Sequence, residues 1–83
     1  MKLVDDVVIT ETDYGYVLLN VVEGTYFNVN PTGTVVLRAL LEGGAAAEAA
    51  DRLTQEFDVT PEEAARDVAD LIAEFRRERL LAP

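Results

Sequence analysis

The side chains with the clearest chemical potential are carboxylates spaced three or four residues apart near the end of the sequence. They are Asp67, Asp70, Glu74 and Glu78. At about 100° per residue on a helix, this spacing places them in one acidic stripe. An apolar stripe lies beside it, formed by Ala64, Val68, Leu71, Ile72 and Phe75. An acidic stripe that borders an apolar groove fits a partner with Lys or Arg next to apolar anchors, although a solvated helix face would show the same charges.

The composition argues against catalysis. The chain contains no histidine, cysteine or serine, which removes imidazole bases, thiol and serine nucleophiles, disulfides and ordinary zinc sites. It has no Gly-rich phosphate loop either. The abundant carboxylates would still allow a paired-acid site, but an enzyme is the less favoured interpretation. We expect no catalytic residue, no metal and no cofactor.

The net charge indicates the kind of partner. Sixteen acidic and seven basic residues give a charge of −9, which would repel a phosphate backbone and attract a basic peptide. Solubility alone is an equally good explanation of much of this charge. No long apolar run is present, so the sequence predicts neither a signal peptide nor a membrane span and favours the cytoplasm. The 83 residues predict one domain, residues 1–83, with a modest core.

The first third of the sequence predicts three short strands. They cover residues 7–10, 16–22 and 25–30. Asp13, Tyr14 and Gly15 supply the first turn, and Glu23-Gly24 supplies a tight second one. Two short connections in succession favour an antiparallel meander.

The remainder predicts three helices. Asn30 and Pro31 are the cap and first residue of a helix that stops at residues 42–44. A second, alanine-rich helix covers residues 45–57, and the third covers residues 61–79. Thr60 and Glu63 form a capping box at its start. The expected inner residues of the first two helices are Val36, Leu37, Leu40, Leu41, Ala46, Ala49, Ala50, Leu53 and Phe57. The predicted fold is α+β and winged-helix-like, a three-stranded antiparallel sheet followed by three helices.

The third strand, TYFNVN, carries no charge. Alternation directs Phe27 and Val29 toward the helices and Tyr26 and Asn28 away from them. As the last strand of a meander it would have a free edge, which natural proteins usually protect with lysine, proline or a bulge. Either something within the fold covers this edge or the edge accepts a strand from a partner. Alternatively, Tyr26 and Phe27 are ordinary aromatic residues of the core and of its rim, with no role in binding.

The order of these segments resembles the PqqD-like proteins. The resemblance is carried by "YVLLNVVEGTYFNVNPTGTVVLRALLEGG", an alanine-rich helix, "FDVTPEEAARDVADLIAEF" and a terminal "RLL", and it covers roughly residues 5–81. Its most specific parts are the hydrophobic strand, the Gly24 to Tyr26 hairpin, the "NPTG" helix start and the pattern of the last helix. Many relatives carry tryptophan where Leu37 stands.

The resemblance implies a recognition element for the leader of a ribosomally made, modified peptide. In such proteins the leader pairs along the third strand, in the groove beside the third helix. The residues expected to bind it are Thr25, Tyr26, Phe27, Asn28, Val29, Asp67, Val68, Asp70, Leu71, Glu74 and Phe75. The expected partners are a leader with basic residues and a separate leader peptidase or other modifying enzyme, with no nucleic acid and no membrane.

Several alternatives remain open at this point. The short chain looks most like the discrete leader-binding proteins of lasso-peptide biosynthesis. A PqqD-type chaperone that delivers its precursor to a radical enzyme is the close rival. A winged-helix DNA-binding protein is opposed by the charge, because no predicted helix carries a basic stripe. A module that dimerises through the same strand edge is the fourth possibility.

Overall fold

The structure, a computed structural model, describes residues 2–82. Its elements are β1 (Val7–Thr12), β2 (Gly15–Asn20), β3 (Thr25–Val29), α1 (Pro31–Leu41), α2 (Ala46–Glu56) and α3 (Pro61–Arg77). The three strands form one antiparallel sheet in the order β1-β2-β3. The predicted α+β fold, an antiparallel meander followed by three helices, is therefore confirmed.

The second strand is shorter than its apolar sequence predicted. β2 ends at Asn20 instead of residue 22, and the connection to β3 covers residues 21–24 instead of the two predicted. The cause is the Asn20 side chain, whose Oδ1 accepts hydrogen bonds from the N–H groups of Val22 (3.0 Å) and Glu23 (2.9 Å). These bonds turn the backbone away from the ladder. Gly24 completes the turn at φ 73°, a conformation that favours glycine.

Thr34 of α1 joins this helix to β2 and β3. Its hydroxyl accepts from the Tyr16 N–H at 3.1 Å and donates to the Val29 carbonyl at 3.4 Å. Gly15 makes room for this contact, because a Cβ there would lie 2.6 Å from the Val29 carbonyl oxygen and 2.7 Å from Thr34 Oγ1. The side chain of Thr34 thus sets the position of β3 relative to α1.

The helix starts follow the predicted caps. Asn30 Oδ1 accepts from the Gly33 N–H at 2.7 Å, and Thr60 Oγ1 accepts from the Glu63 N–H at 3.1 Å. The third helix ends at residue 77, two residues before the predicted end. It stops there because Arg79 has a left-handed φ of 59°, which redirects the chain.

The core lies in two parts. One lies between the helices and contains Val36, Ala39, Leu40, Ala49, Leu53, Ala64, Val68 and Ile72. The other lies between the sheet and the helices and contains Val7, Leu18, Val29, Leu37, Phe75, Leu80 and Leu81. Ala46 begins α2 and is exposed, contrary to the prediction. Within residues 2–82, none of the helices is long and apolar enough to cross a membrane.

Candidate functional site

The site begins with the free edge of β3. The Val21 N–H donates to the Asp6 carbonyl on the β1 side at 2.9 Å, so odd-numbered residues of β2 bond toward β1. Even-numbered residues of β2 therefore bond toward β3. Leu18 is one of them and lies opposite Phe27, so the backbone N–H and C=O groups of Phe27 point toward β2. Tyr26 and Asn28 alternate with Phe27, so their backbone N–H and C=O groups point outward. No strand in the described part of the chain pairs with this edge.

The two edges of the sheet differ in charge. β1 follows Asp5 and Asp6 directly and contains Glu11, so acidic side chains border its outer edge. β3 has the sequence TYFNV and contains neither a charged residue nor a proline. Charge is one of the ordinary means by which proteins keep an edge strand from pairing. The β3 edge is therefore the unprotected edge of the sheet.

A groove runs between this edge and α3. It consists of two adjoining depressions that share Asn30, Leu71 and Glu74 as lining residues. The larger, of about 310 Å³, is also lined by Thr32, Asp67 and Asp70. The smaller, of about 100 Å³, is also lined by Phe27, Asn28, Val29 and Phe75. We call the two together the β3–α3 groove.

The floor of the β3–α3 groove is apolar and tightly packed. The rings of Phe27 and Phe75 meet edge to face, with centroids 6.0 Å apart and planes at 76°. Val29 and Phe75 are buried, whereas Leu71 is half-buried and open to the groove. Gly33 allows the first turn of α1 to approach this floor, since a Cβ there would lie 2.8 Å from Val29 Cγ1. A packed floor of this kind offers an apolar surface to a side chain that enters the groove.

The border of the groove is acidic. Asp67 and Glu74 are half-buried and Asp70 is exposed, and all three line the larger depression. A third depression of about 160 Å³, toward the start of β3, is lined by Glu23 and Glu78 among others. Among residues 2–82, the ion pairs involve only Arg38 and Arg52, both outside the groove. The carboxylates of the groove are therefore not neutralised by ion pairs in the described structure.

The structure brings most of the predicted site residues together. Phe27, Asn28, Val29, Asp67, Asp70, Leu71, Glu74 and Phe75 line the β3–α3 groove, and Thr25 and Tyr26 line the third depression. Val68 differs, because its side chain is 1% exposed and packs in the helical core. Its position on the wheel, inside the apolar stripe and away from the acidic border, is consistent with this burial.

The sequence did not point to some of the lining residues. They are Asn30 and Thr32 in the larger depression, and Leu18, Asn20, Glu23 and Leu80 in the third. Asn30 was recognised only as a helix cap. The signal that could have found it is its place directly after the edge strand, where the chain turns along the groove.

A separate depression of about 310 Å³ lies between α1 and α2, lined by Val35, Arg38, Arg52, Gln55 and Glu56. Arg38 stacks on the Tyr16 ring at 5.4 Å and donates to its hydroxyl at 3.0 Å. This hydrogen bond raises the pKa of Arg38, so the guanidinium stays charged. Both arginines already pair with glutamates, which makes this depression a poor anion site. Residues 2–82 hold no group of His, Cys, Asp or Glu arranged for a metal ion.

Three strands followed by three helices, with an open strand edge beside the last helix, define a small α+β protein of the PqqD-like type. The model of the family described as "Coenzyme PQQ synthesis protein D (PqqD)" matches residues 15–81. The chain therefore belongs to the PqqD family. No curated protein matches the chain.

Two solved structures are closely similar to this chain. One is described as "Lasso peptide synthetase B1 complexed with the leader peptide". It has a TM-score of 0.92 and 33% sequence identity, over 99% of this chain and 96% of the other. The second is "TbiB1 in Complex with the TbiA(beta) Leader Peptide", with a TM-score of 0.83 and 32% identity over 96% and 94% of the two chains. Both similar proteins are thus recorded with a leader peptide.

Proposed function

We propose that this protein, acting as a single domain, is a non-catalytic adaptor for a ribosomally made precursor peptide. It binds the leader of the precursor and presents it to a separate leader peptidase or other modifying enzyme. The observation that carries this proposal is the unpaired, uncharged edge of β3 beside the β3–α3 groove. The two similar structures, each a complex with a leader peptide, support it.

The backbone of β3 supplies the attraction. The backbone N–H and C=O groups of Tyr26 and Asn28 point away from β2, beyond the edge of the sheet. An extended leader segment forms hydrogen bonds with them by adding a fourth strand. These bonds involve only peptide groups, so they hold the leader without reading its sequence. Asn30 cannot add a complete pair of hydrogen bonds to the leader strand, because its carbonyl already accepts from the Thr34 N–H at 2.8 Å. The added strand is therefore short.

The β3–α3 groove supplies selectivity. Side chains on one face of the added strand, two residues apart, point toward α3. The depression floored by Phe27 and Phe75 suits an apolar side chain, which would cover the half-buried Leu71. The neighbouring depression, with Asp67, Asp70 and Glu74, favours Lys or Arg. The leader thus combines an apolar anchor with a basic residue nearby.

The biosynthetic pathway in which the adaptor acts is the more specific part of the proposal. A lasso-peptide pathway is favoured, because the two solved structures cover nearly the whole chain at about one third identity. Delivery of a precursor to a radical enzyme is the second candidate, and the description of the matching family as a coenzyme PQQ synthesis protein supports it. DNA binding is disfavoured, since the exposed side of α3 next to the groove is acidic. We place the adaptor in the cytoplasm, where precursor peptides are made.

Adaptor action without catalysis has a simple physical basis. A precursor held by its leader stays near the enzyme that also contacts the adaptor, so its effective concentration there rises. The groove contains carboxylates and the hydroxyl of Thr32 but no thiol, serine or imidazole, in keeping with a chain that lacks histidine, cysteine and serine. The protein itself needs no cofactor for this role.

The test is fluorescence anisotropy with labelled leader peptides from precursors encoded beside the gene, at low and at high salt. Micromolar or tighter binding that weakens with salt is expected, because the acidic border contributes to the encounter. Leaders of lasso-type and PQQ-type precursors, compared side by side, decide between the two pathways. Failure of every leader to bind at low salt would contradict the adaptor function.

A further inference from the structure

The third depression continues the β3–α3 groove toward the start of β3. It has a volume of about 160 Å³, and its walls come from the β2–β3 hairpin, the end of α3 and the segment that follows α3. The lining residues are Leu18, Asn20, Glu23, Thr25, Tyr26, Phe27, Glu78 and Leu80. Phe27 also lines the smaller depression of the groove, so the two depressions adjoin. We call the third depression the hairpin pocket.

The hairpin pocket is apolar at its base and acidic at its mouth. Leu18 is fully buried and Leu80 is 5% exposed, whereas Glu23 and Glu78 are exposed. The leucines therefore lie beneath, and the two carboxylates lie toward solvent. A long side chain with an apolar stem and a cationic end matches this order, and the side chains of that kind are Lys and Arg.

The two glutamates of the hairpin pocket come from separate elements, and the backbone positions each of them. Asn20 Oδ1 accepts from the Glu23 N–H at 2.9 Å, which holds Glu23 in the turn between β2 and β3. Glu78 is the C-cap of α3, and its N–H donates to the Glu74 carbonyl at 2.9 Å. One carboxylate thus belongs to the hairpin wall and the other to the helix wall.

The fold itself does not account for these carboxylates. Within residues 2–82 the ion pairs involve only Arg38 and Arg52, so neither Glu23 nor Glu78 is neutralised. A carboxylate at a helix C-terminus also lies at the negative end of the helix dipole, which is unfavourable. Glu78 therefore adds nothing to the stability of α3, whereas a cation in the hairpin pocket would compensate its charge.

The alternation of β3 determines which leader residue reaches the hairpin pocket. Thr25 and Phe27 share one side of the strand with the buried Val29, and a leader residue opposite either of them points to that same side. The residue opposite Thr25 faces the hairpin pocket, and the residue opposite Phe27 faces the apolar floor. The two leader residues are therefore two positions apart.

We infer that the hairpin pocket is a specificity site for a second basic residue of the leader, two positions from the apolar anchor and toward the start of β3. The inference rests on the proposed function, since the leader supplies the side chain. The leader then presents one basic residue to the larger depression, an apolar anchor to the floor and a second basic residue to Glu23 and Glu78. A precursor with an acidic or apolar residue at this last position binds less tightly, so the pocket discriminates among precursors.

The test compares leader peptides that differ only in the charge of one side chain. The probe is the labelled leader of the precursor encoded beside the gene, with lysine and then acetyl-lysine placed at each position in turn. Acetyl-lysine keeps the apolar stem and removes the charge, so the ratio of the two dissociation constants isolates the effect of the cation. Alanine replacements along the same leader identify the apolar anchor.

The protein variants remove carboxylates while keeping side-chain size. The test variant is Glu23→Gln with Glu78→Gln. The matched control is Glu56→Gln with Glu62→Gln, which removes the same charge from exposed positions outside the hairpin pocket. Glu56 ends α2 much as Glu78 ends α3, so the control also matches the change at a helix C-terminus.

The wild-type chain should prefer lysine over acetyl-lysine by about threefold or more at a position two residues from the anchor, in anisotropy titrations at low salt. This ratio should fall to near one in the Glu23→Gln, Glu78→Gln variant and stay unchanged in the control. Asp67→Asn with Glu74→Gln should leave this ratio unchanged and reduce lysine preference on the other side of the anchor.

The inference is overturned if the lysine preference at this position persists in the Glu23→Gln, Glu78→Gln variant, or if the wild-type chain shows no such preference there. A preference at an odd distance from the anchor contradicts it as well, because that side chain points to the other side of the sheet. Failure of every leader to bind the wild-type chain would instead contradict the proposed function, and the titration of the unsubstituted leader detects that outcome separately.

Discussion

The rings of Phe27 and Phe75 meet edge to face at 6.0 Å, which joins the edge strand to the third helix at the floor of the β3–α3 groove. Phe27 is half-buried and Phe75 is fully buried. The contact fixes the distance between the two walls that would hold a peptide. The floor of the groove is therefore continuous with the core between the sheet and the helices.

The strength of this ring contact can be measured by a double-mutant cycle. Phe27→Leu and Phe75→Leu, alone and together, should show a coupling free energy of about 0.5–1.5 kcal/mol in urea unfolding, as aromatic pairs do. Phe75→Ala should cost about 3–5 kcal/mol, because it also leaves a cavity. Additive effects of the two leucine variants would show that the rings pack without a specific interaction.

Leu71→Glu should weaken leader binding without unfolding the protein. The Leu71 side chain is half-buried and lines both depressions of the groove. Burial of one leucine contributes about 1.5–3 kcal/mol, so the dissociation constant should rise by about tenfold or more. The matched control is Ala73→Glu, which adds the same charge at an exposed position of α3. Equal leader affinities of the two variants in anisotropy titrations would refute the groove assignment.

Asn28→Pro should weaken leader binding by removing an outward-pointing peptide donor. The Asn28 N–H does not bond to β2, so the sheet keeps its own ladder and proline is tolerated at this edge. Ile9→Pro is the matched control, because Ile9 alternates in the same way on the outer edge of β1. We expect the dissociation constant to rise about tenfold for the β3 variant only. Similar losses in both would indicate general damage to the sheet.

Removal of two groove charges should slow leader association and flatten its salt dependence. The double variant Asp67→Asn with Glu74→Gln keeps side-chain size and removes charge from the groove wall. Asp51→Asn with Glu62→Gln removes the same charge from exposed positions elsewhere on the helices. Stopped-flow measurements across ionic strength should show the effect only for the groove pair. An identical salt slope in both double variants would show that net charge alone drives the encounter.

Thr34→Val should destabilise the fold, because the hydroxyl bridges two strands. The variant keeps the shape of the side chain but leaves the Tyr16 N–H and the Val29 carbonyl without their partner. We expect a loss of about 1–3 kcal/mol in urea unfolding. Thr54→Val is the control, since its hydroxyl bonds only to the Asp51 carbonyl within α2. A loss no larger than that of Thr54→Val would contradict the bridging role.

Local sequence signals predicted the boundaries of helices and strands well where a single residue determines the backbone conformation. Asn30 and Pro31 gave the start of α1, and Thr60 gave the start of α3. The predicted end of β2 was wrong, because Val21 and Val22 are residue types that favour strands. The Asn20 side chain determines that turn, and nothing in a strand pattern shows where such a side chain will point.

The groove was predictable only in part. Helical periodicity placed Asp67, Asp70, Leu71 and Glu74 on one border, and the structure brings them beside β3. The burial of Val68 depends on how α3 rotates against α1 and α2, which a helical wheel cannot fix. The Thr34 bridge joins residues 18 positions apart in the sequence, and such long-range polar contacts leave no local pattern.

The uncharged edge of β3 also has a consequence for the protein when no peptide is present. An open strand edge is a template on which other copies can stack into fibrils or amorphous precipitate. A net charge of −9 on 83 residues opposes that assembly by colloidal repulsion, so the acidity of the chain preserves the vacant edge. Shelf life in concentrated stocks should therefore shorten as salt is added or as the pH approaches the isoelectric point near 4.2.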